Sequence, residues 1–171
     1  MSQDTLTQTE LKQQLHYDPY TGDFTRLVSN SGRVRAGSIA GCINAQGYNL
    51  ISINYKRYLS HRLAFLWMTG AFPENMVDHI NHKRAYNRWV NLRAATRSEN
   101  LRNSRKRSDN TSGCKGVYFN KGAGKYVARI MANGVKKHLG LFDTPEEAHQ
   151  VYCQAADKHY GKFAYHGKRR E

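Results

Sequence analysis

The chain has 171 residues, 39% hydrophobic and 11% aromatic, which predicts one or two small folded domains and excludes a wholly disordered chain. Lysine and arginine number 27 against 13 aspartate and glutamate, so the formal net charge is +14, which indicates a polyanionic partner, nucleic acid before an anionic membrane surface. No long apolar span, basic amphipathic helix or signal peptide is evident, so we expect no membrane association and a cytoplasmic location.

The first part of the chain, residues 1–59, is predicted to hold one helix followed by short strands. Leucines recur at helical spacing within residues 5–15, and the segment YDPYTGDF that follows is typical of a turn. In GYNLISINYKRYL, residues 47–59, the alternation predicts two strands joined by a turn near 54–57, with one face formed by Ile51, Ile53 and Tyr55.

Residues 60–107 are predicted to form a compact core of helix, two strands and helix. SHRLAFLWMTG is typical of a short buried helix, with Ser60 as its N-cap and Gly70 as its stop. Residues 76–79 and the segment RWVNLRAAT are strand candidates, and a helix begins in SENLRN, capped by Thr96 or Ser98. Within the first helix, His61 is expected to be a buried or capping residue.

The polar segment 108–113 lacks apolar periodicity and ends in glycine, so we predict a linker there. Residues 114–165 then show three strand patterns and a helix capped by Thr144, with Pro145 at its first position and Gly161 at its end. Three antiparallel strands with one packed helix are expected, followed by a basic tail at 166–171. The predicted fold class for the whole chain is α+β.

The three cysteines do not form a pattern that binds zinc or builds a disulfide framework. They are far apart, odd in number and contain no C-x-x-C pair: Cys42, Cys114 and Cys153. We therefore predict free thiols and no structural zinc.

An Asp-His pair and two asparagines form the most specific candidate site. Asp78 precedes His79, Asn91 follows twelve residues later, and Asn100 nine residues after that. Phosphodiester hydrolysis needs a base near neutral pH, which a histidine provides. It also needs a hard divalent cation, for which a carboxylate and an amide oxygen are suitable ligands.

The segments HRLAFLW and VDHIN…NRWVNLRAATRSENLRN, within residues 48–103, resemble the HNH family of homing-type endonucleases common in bacteriophages. The resemblance implies a ββα-metal nuclease core of the zinc-free branch. It assigns the catalytic base to His79, one Mg²⁺ or Mn²⁺ to Asp78 and Asn100, the orientation of the base to Asn91, and a structural loop position to Asn87. In the HKRAY loop this chain departs from the family, because His82 stands where Gly or Asn is common. His82 is either a loop residue or a second ligand or phosphate contact.

Nine cations against one acid, Glu99, stand between residues 83 and 107. They form either a solvated face or, beside a phosphate-cleaving site, contacts to the DNA backbone. Arg62 is expected either to brace the active-site loop or to contact a phosphate. The predicted DNA contacts of this half are Arg62, Arg84, Arg88, Arg93, Arg97 and Arg102.

Residues 115–164, with GVY and HLGLFDTPEEAHQVY as the strongest matches, resemble the ethylene-response-factor (APETALA-two) type DNA-binding domain. The resemblance implies a sheet lying in the major groove and a phosphate contact from Tyr152. The implied groove-facing residues are Lys115, Tyr118, Asn120, Arg129, Met131, Lys136 and His138. Family arginines are replaced at several of these positions, so the family's target sequence does not carry over. The alternative is a sheet whose charges only solvate it.

Together these features predict a site-preferring, nicking or homing-type DNA endonuclease that acts as a monomer or homodimer on double-stranded DNA. The resemblance implies that it leaves 5′-phosphate and 3′-hydroxyl ends. The alternative is a non-catalytic, sequence-specific DNA-binding regulator built on a degenerate nuclease scaffold. An RNA-directed nuclease is disfavoured because no RNA-binding signature is present.

Overall fold

A computed structural model describes residues 6–29 and 34–167, and the chain divides into two compact units, Met1–Thr96 and Arg97–Glu171. Both units combine helices with small antiparallel sheets, which confirms the α+β prediction. Residues 168–171 of the predicted basic tail lie outside the described residues. Among the helices described, none has the length and apolar character that a membrane crossing requires.

The first unit begins with helix α1 (Gln8–Gln14) and a two-stranded sheet. Thr7 and Glu10 close a capping box at the start of α1, which satisfies two backbone donors that the helix leaves unpaired. Strand β1 (Leu15–Tyr17) pairs antiparallel with β2 (Phe24–Arg26) around the predicted turn. Leu11 and Leu15 are completely buried, as their helical spacing predicts.

A three-stranded sheet follows, in the order β3 (Cys42–Ile43), β4 (Asn49–Ile53) and β5 (Lys56–Leu59). Ile51 and Ile53 are buried as expected, but the prediction that Tyr55 shares their face is wrong. Tyr55 has a positive φ of 62° in the β4–β5 turn and is fully exposed, because a tight hairpin turn requires positive φ values at its centre.

Helix α2 (Ser60–Thr69) packs its apolar face into the core of the first unit and ends at Gly70, whose φ is 85°. The prediction that Ser60 caps this helix is wrong. The N-cap is Leu59, whose side chain makes no capping bond, while Ser60 is the first helical residue and is completely buried. A hairpin of β6 (Met76–His79) and β7 (Leu92–Ala95) completes the unit, with a 3₁₀ turn at Trp89–Asn91 before β7.

The second unit begins with helix α3 (Arg97–Asn103) and continues into a sheet of order β10–β9–β8, formed by β8 (Val117–Asn120), β9 (Lys125–Ala132) and β10 (Val135–Phe142). Helix α4 (Pro145–Tyr160) packs on this sheet, capped by Thr144 and ended by Gly161. The three strands and the helix agree with the pattern of residues 114–165.

The division between the units falls before α3 and not at the predicted linker 108–113. The reason is local hydrogen bonding. Asn110 Nδ2 donates to the carbonyls of Cys114 and Val117 at 3.0 and 3.1 Å, and the Ser112 hydroxyl donates to the Val117 carbonyl at 2.8 Å. These bonds tie the polar segment to the sheet that follows it.

Candidate active site

The β6–β7 hairpin places the Asp-His pair. Asp78 lies opposite Arg93, and His79 lies opposite Leu92. Because side chains alternate along a strand and cross-strand partners share a face, Asp78 faces Arg93 on one side while His79 projects to the other. Both side chains are buried.

Asp78 is engaged by an arginine that we predicted to contact DNA. Arg93 Nη2 lies 2.6 Å from Asp78 Oδ2, and Arg93 Nε donates to the same oxygen at 2.8 Å. The two side chains are only 11% and 5% exposed, so the pair is largely shielded from water. In this structure Arg93 compensates a buried carboxylate, a structural role that sequence alone did not indicate.

His79 is oriented by Asn87. His79 Nε2 lies 3.0 Å from Asn87 Oδ1, and both residues are buried. An amide oxygen can only accept, so this bond requires the proton on Nε2 and leaves the lone pair of the neutral ring on Nδ1. Burial lowers the pKa of His79, with Arg84 adding to this effect, while Asn87 and Asp78 oppose it. The ring is therefore neutral, and basic at Nδ1, near neutral pH.

Asn87, and not Asn91, is the asparagine whose side chain bonds to the His79 ring, so the structure does not support the predicted orienting role of Asn91. Asn91 Oδ1 accepts from the backbone N–H of Asn81 at 3.0 Å, and Nδ2 donates to the Tyr86 carbonyl at 2.8 Å. Its own carbonyl accepts from the Ile80 N–H. Asn91 thus closes the loop between the two strands. The sequence places Asn87 and Asn91 in the segment that follows His79, but it does not indicate which of the two side chains bonds to the His79 ring.

The turn between β1 and β2 braces Asn87 from outside the hairpin. The buried Tyr17 hydroxyl donates to the Asn87 carbonyl at 2.6 Å, and the Trp89 N–H donates to the Pro19 carbonyl at 3.0 Å. Gly22, with a φ of 85°, approaches so closely that a Cβ there would lie 2.5 Å from the Asn87 carbonyl carbon. The turn itself is evident in the sequence, but its contact with Asn87, about seventy positions away, leaves no local sequence pattern.

The HKRAY loop contains a strained residue. His82 has a φ of 60°, in the left-handed region that glycine or asparagine adopts at lower cost. Its N–H donates to the His79 carbonyl at 3.0 Å, so the strain lies in the tight turn directly after the candidate base. The departure from the family at this position therefore coincides with a backbone conformation that suits the family's usual Gly or Asn.

Sequence analysis expected His61 to be a core or capping residue and gave it no functional role. It is buried, but its ring lies edge-on to His79, with centroids 5.0 Å apart, and 5.3 Å from the ring of Tyr48. Within residues 6–29 and 34–167, its Nδ1 has no hydrogen-bond partner. Burial, together with the positive charges of His79 and Arg62, lowers the pKa of His61 to about 3, so it is neutral.

The other predicted basic contacts of the first unit differ in their surroundings. Arg84 is exposed, donates to the Gln46 carbonyl at 2.8 Å and stacks over Tyr48. Arg88 is exposed above the Tyr86 ring. Arg62 lies over the Phe72 ring and 3.5 Å from the Asn75 carbonyl, which favours its bracing alternative. Arg84 and Arg88 remain suitable for phosphate contact.

In the second unit, α3 carries three of the predicted site residues. Arg97 is exposed at its start, Asn100 is half-buried in its middle, and Arg102 stacks on the Tyr160 ring at 5.1 Å. The two predicted metal ligands, Asp78 and Asn100, belong to different units, and their joint role stays a prediction.

The strand residues that we predicted to face the DNA groove all lie on one face of the sheet. Cross-strand register pairs His138 with Arg129, and Lys136 with Met131. On the other side of β9, Tyr118 pairs with Val127 and Asn120 with Lys125. All the predicted residues within the strands therefore point the same way, and Arg129, Lys136 and His138 are exposed.

Three predicted DNA contacts in this unit bond or pack within the fold. Lys115 Nζ donates to the carbonyls of Arg102 and Ser104, each at 2.6 Å, and so compensates the C-terminal end of α3. Asn120 Oδ1 accepts from the N–H groups of Gly122 and Ala123 and closes the β8–β9 turn. Tyr152 is buried between α4 and the sheet, because a helix residue on the apolar stripe must pack there.

Three comparisons with known proteins bear on this site. Residues 58–102, which contain the β6–β7 hairpin, match the sequence model of the HNH endonuclease family. An uncharacterized HNH endonuclease of Acanthamoeba polyphaga mimivirus is 31% identical over 116 residues, which are 67% of this chain. The chain spans 59% of the length of that relative. The solved structure of the HNH homing endonuclease I-HmuI, in a study of its DNA binding and cleavage, aligns with 83% of this chain and 76% of its own. The identity is 18% and the TM-score 0.42.

Proposed function

We propose that this protein is a metal-dependent endonuclease that hydrolyses phosphodiester bonds of double-stranded DNA, with His79 as the general base. The observation that carries the proposal is the buried hydrogen bond between His79 Nε2 and Asn87 Oδ1, inside the segment that matches the HNH endonuclease family. This bond selects the tautomer that is basic at Nδ1, and burial keeps the ring neutral near pH 7.

In the proposed reaction, His79 Nδ1 accepts a proton from the attacking water as the water oxygen adds to phosphorus. Asn87 holds the ring and stabilises the imidazolium that forms, because its carbonyl oxygen continues to accept from Nε2. The edge-on ring of His61 limits rotation of His79. The bond between phosphorus and the 3′ oxygen breaks, and the departing 3′ oxygen takes a proton from solvent water, which leaves 5′-phosphate and 3′-hydroxyl ends.

A carboxylate and an amide oxygen are ligands that suit a hard divalent cation. Mg²⁺ and Mn²⁺ need few protein ligands, since they keep several waters. Asp78 and Asn100 would hold the ion through a carboxylate and an amide oxygen. The ion would stabilise negative charge on the phosphate and on the leaving oxygen.

The excess positive charge would hold the substrate. Arg84 and Arg88 beside the hairpin, and Arg129, Lys136 and His138 on the sheet, are exposed cations or titratable groups suited to a duplex backbone. One active site per chain predicts that a monomer nicks one strand, and that double-strand cutting needs a homodimer or successive nicks. A homing-type preference for particular sites would come from the sheet.

A supercoiled plasmid incubated with the protein and Mg²⁺ or Mn²⁺, with and without EDTA, tests this proposal. We expect nicked or linear product only with the metal, and no product from His79→Ala, which should still shift DNA in a gel. His159→Ala, on α4 of the second unit, is the matched control and should cleave normally. Equal cleavage by His79→Ala would remove His79 from the mechanism.

One observation favours a second function. Because Arg93 Nε and Nη2 both lie close to Asp78 Oδ2, this carboxylate is already bound within the fold, which fits a structural role. The protein would then be a non-catalytic, sequence-specific DNA-binding regulator. Sequence-specific binding without cleavage across a range of divalent metals would support that function and reject the nuclease.

A further inference from the structure

A strongly basic cavity of about 610 Å³ lies within the second unit. One wall is the segment 104–111, and the other is the outward face of the sheet, represented by Tyr118, Arg129 and Met131. A volume of this size suits one nucleotide unit rather than a single ion. The cations that line it are Arg105, Lys106, Arg107, Lys115, Arg129 and Lys136.

Positive charge predominates in this cavity, which we call the basic cavity. Six cations and one carboxylate, Asp109, give the lining a formal charge of +5. Arg107 already binds that carboxylate, with Nε and Nη2 at 3.0 and 2.9 Å from its oxygens. The remaining five cations share a concave space, where like charges repel and an anion would relieve the repulsion.

Aromatic side chains hold the cavity walls in place. The Arg129 guanidinium stacks on the Tyr118 ring at 4.7 Å, which fixes its position on the sheet. The Tyr160 hydroxyl donates to the Met131 carbonyl at 2.6 Å, and so joins α4 to β9 at the rim. Burial also lowers the pKa of Lys115 to about 8, so a bound anion would stabilise its ammonium form.

Exposed groups that can donate hydrogen bonds to phosphate continue from the cavity along the sheet. Lys136 lines the cavity, while His138, two residues further along β10, is exposed on the same face opposite Arg129. A free nucleotide would use only the enclosed cations. A polymer could follow the continuous row, and ammonium or guanidinium groups are typical phosphate contacts in such an arrangement.

We propose that the basic cavity binds the sugar–phosphate backbone of DNA, holding one or two phosphates between the segment 104–111 and the sheet. The inference rests on the proposed function, since it takes DNA as the substrate. It assigns to Arg105 and Lys106 contacts to the phosphates of one strand, independently of base sequence.

The test measures binding of the full-length protein to a labelled duplex in EDTA by fluorescence anisotropy over a range of salt concentrations. The variant Arg105→Gln/Lys106→Gln removes two exposed cavity cations. The control Lys121→Gln/Lys158→Gln removes two exposed cations that do not line the cavity. Each lost phosphate contact should reduce the slope of log affinity against log salt by about 0.9, so the cavity variant should lose about 1.8.

An unchanged slope in the cavity variant, or an equal loss in the control, would overturn the proposal. Titration with a deoxynucleoside monophosphate distinguishes the source of the phosphate. Saturable binding that depends on Arg105 and Lys106, without a change in the duplex slope, would identify a small-molecule site and reject the backbone assignment. Plasmid cleavage by the wild type is scored separately. A reduced salt slope in the cavity variant, together with no plasmid cleavage by the wild type, would support the backbone-binding proposal and reject the proposed nuclease activity.

Discussion

The hairpin of the first unit and the sheet of the second unit use polar residues in opposite ways. Around His79, polar groups are buried and bound to one another, as in the Asp78–Arg93 and His79–Asn87 pairs. On the sheet, Lys136 and His138 are exposed and held mainly by strand register. The first arrangement fixes protonation and geometry, whereas the second presents charge to a partner. Substitutions should therefore have larger effects in the hairpin, through stability and catalysis together.

The largest expected effect is on the buried ion pair. Arg93→Leu would remove the cation that binds the buried carboxylate of Asp78, which should lower the free energy of unfolding by about 3–5 kcal/mol. Urea unfolding at neutral pH measures the loss. Asp78→Asn combined with Arg93→Leu also removes the buried negative charge and should recover part of the stability. If the double variant lost more free energy of unfolding than the two single variants lose when their losses are added, the ion pair would not be the source of the effect.

The next largest effect concerns the orientation of the His79 ring. Asn87 and Asn91 form a matched pair of variants, because only the Asn87 side chain bonds to that ring. Asn87→Ala should lower kcat for plasmid nicking about 10²-fold, because the ring loses the partner that selects its tautomer. Asn91→Ala removes two loop-closing bonds and should lower thermal stability more than kcat measured well below the melting temperature. The opposite pattern would restore the role that the family resemblance assigns to Asn91.

These two asparagines also show how far sequence could predict the site. The local patterns of strand, helix cap and turn predicted the β6–β7 hairpin, the three-stranded sheet and α4, because each depends on neighbouring residues. Contacts between distant segments left no such pattern, as with Tyr17 bonding to Asn87 or Lys115 bonding to the end of α3. Residue type predicted Arg93 as a DNA contact, and the family resemblance predicted Lys115, but a cation near an unpaired carbonyl or carboxylate is bound within the fold first.

Acid should destabilise the first unit through His61. Its folded pKa of about 3 lies below the unfolded value of about 6.5, so the unfolded chain takes up the proton first as pH falls. The resulting stability is fully present above about pH 6.5 and is lost as pH falls from there towards 3. In His61→Phe, the loss between about pH 7 and about pH 4.5 should be smaller by on the order of 2 kcal/mol. Urea unfolding at the two pH values measures this, and an equal acid loss in both proteins would assign the effect elsewhere.

The smallest expected effect concerns the one strained residue beside the base. His82 has a φ of 60°, which costs a residue with a Cβ about 1–2 kcal/mol relative to glycine. His82→Gly relieves this strain, but glycine also increases the conformational entropy of the unfolded chain. The melting temperature should therefore stay the same or rise slightly. His82→Val should lower it, since a β-branched residue tolerates this conformation least. Plasmid nicking separates conformation from chemistry. Activity retained in His82→Gly and reduced in His82→Val would show that the loop needs only the backbone shape, whereas equal loss in both would assign the imidazole itself a role as a ligand or phosphate contact.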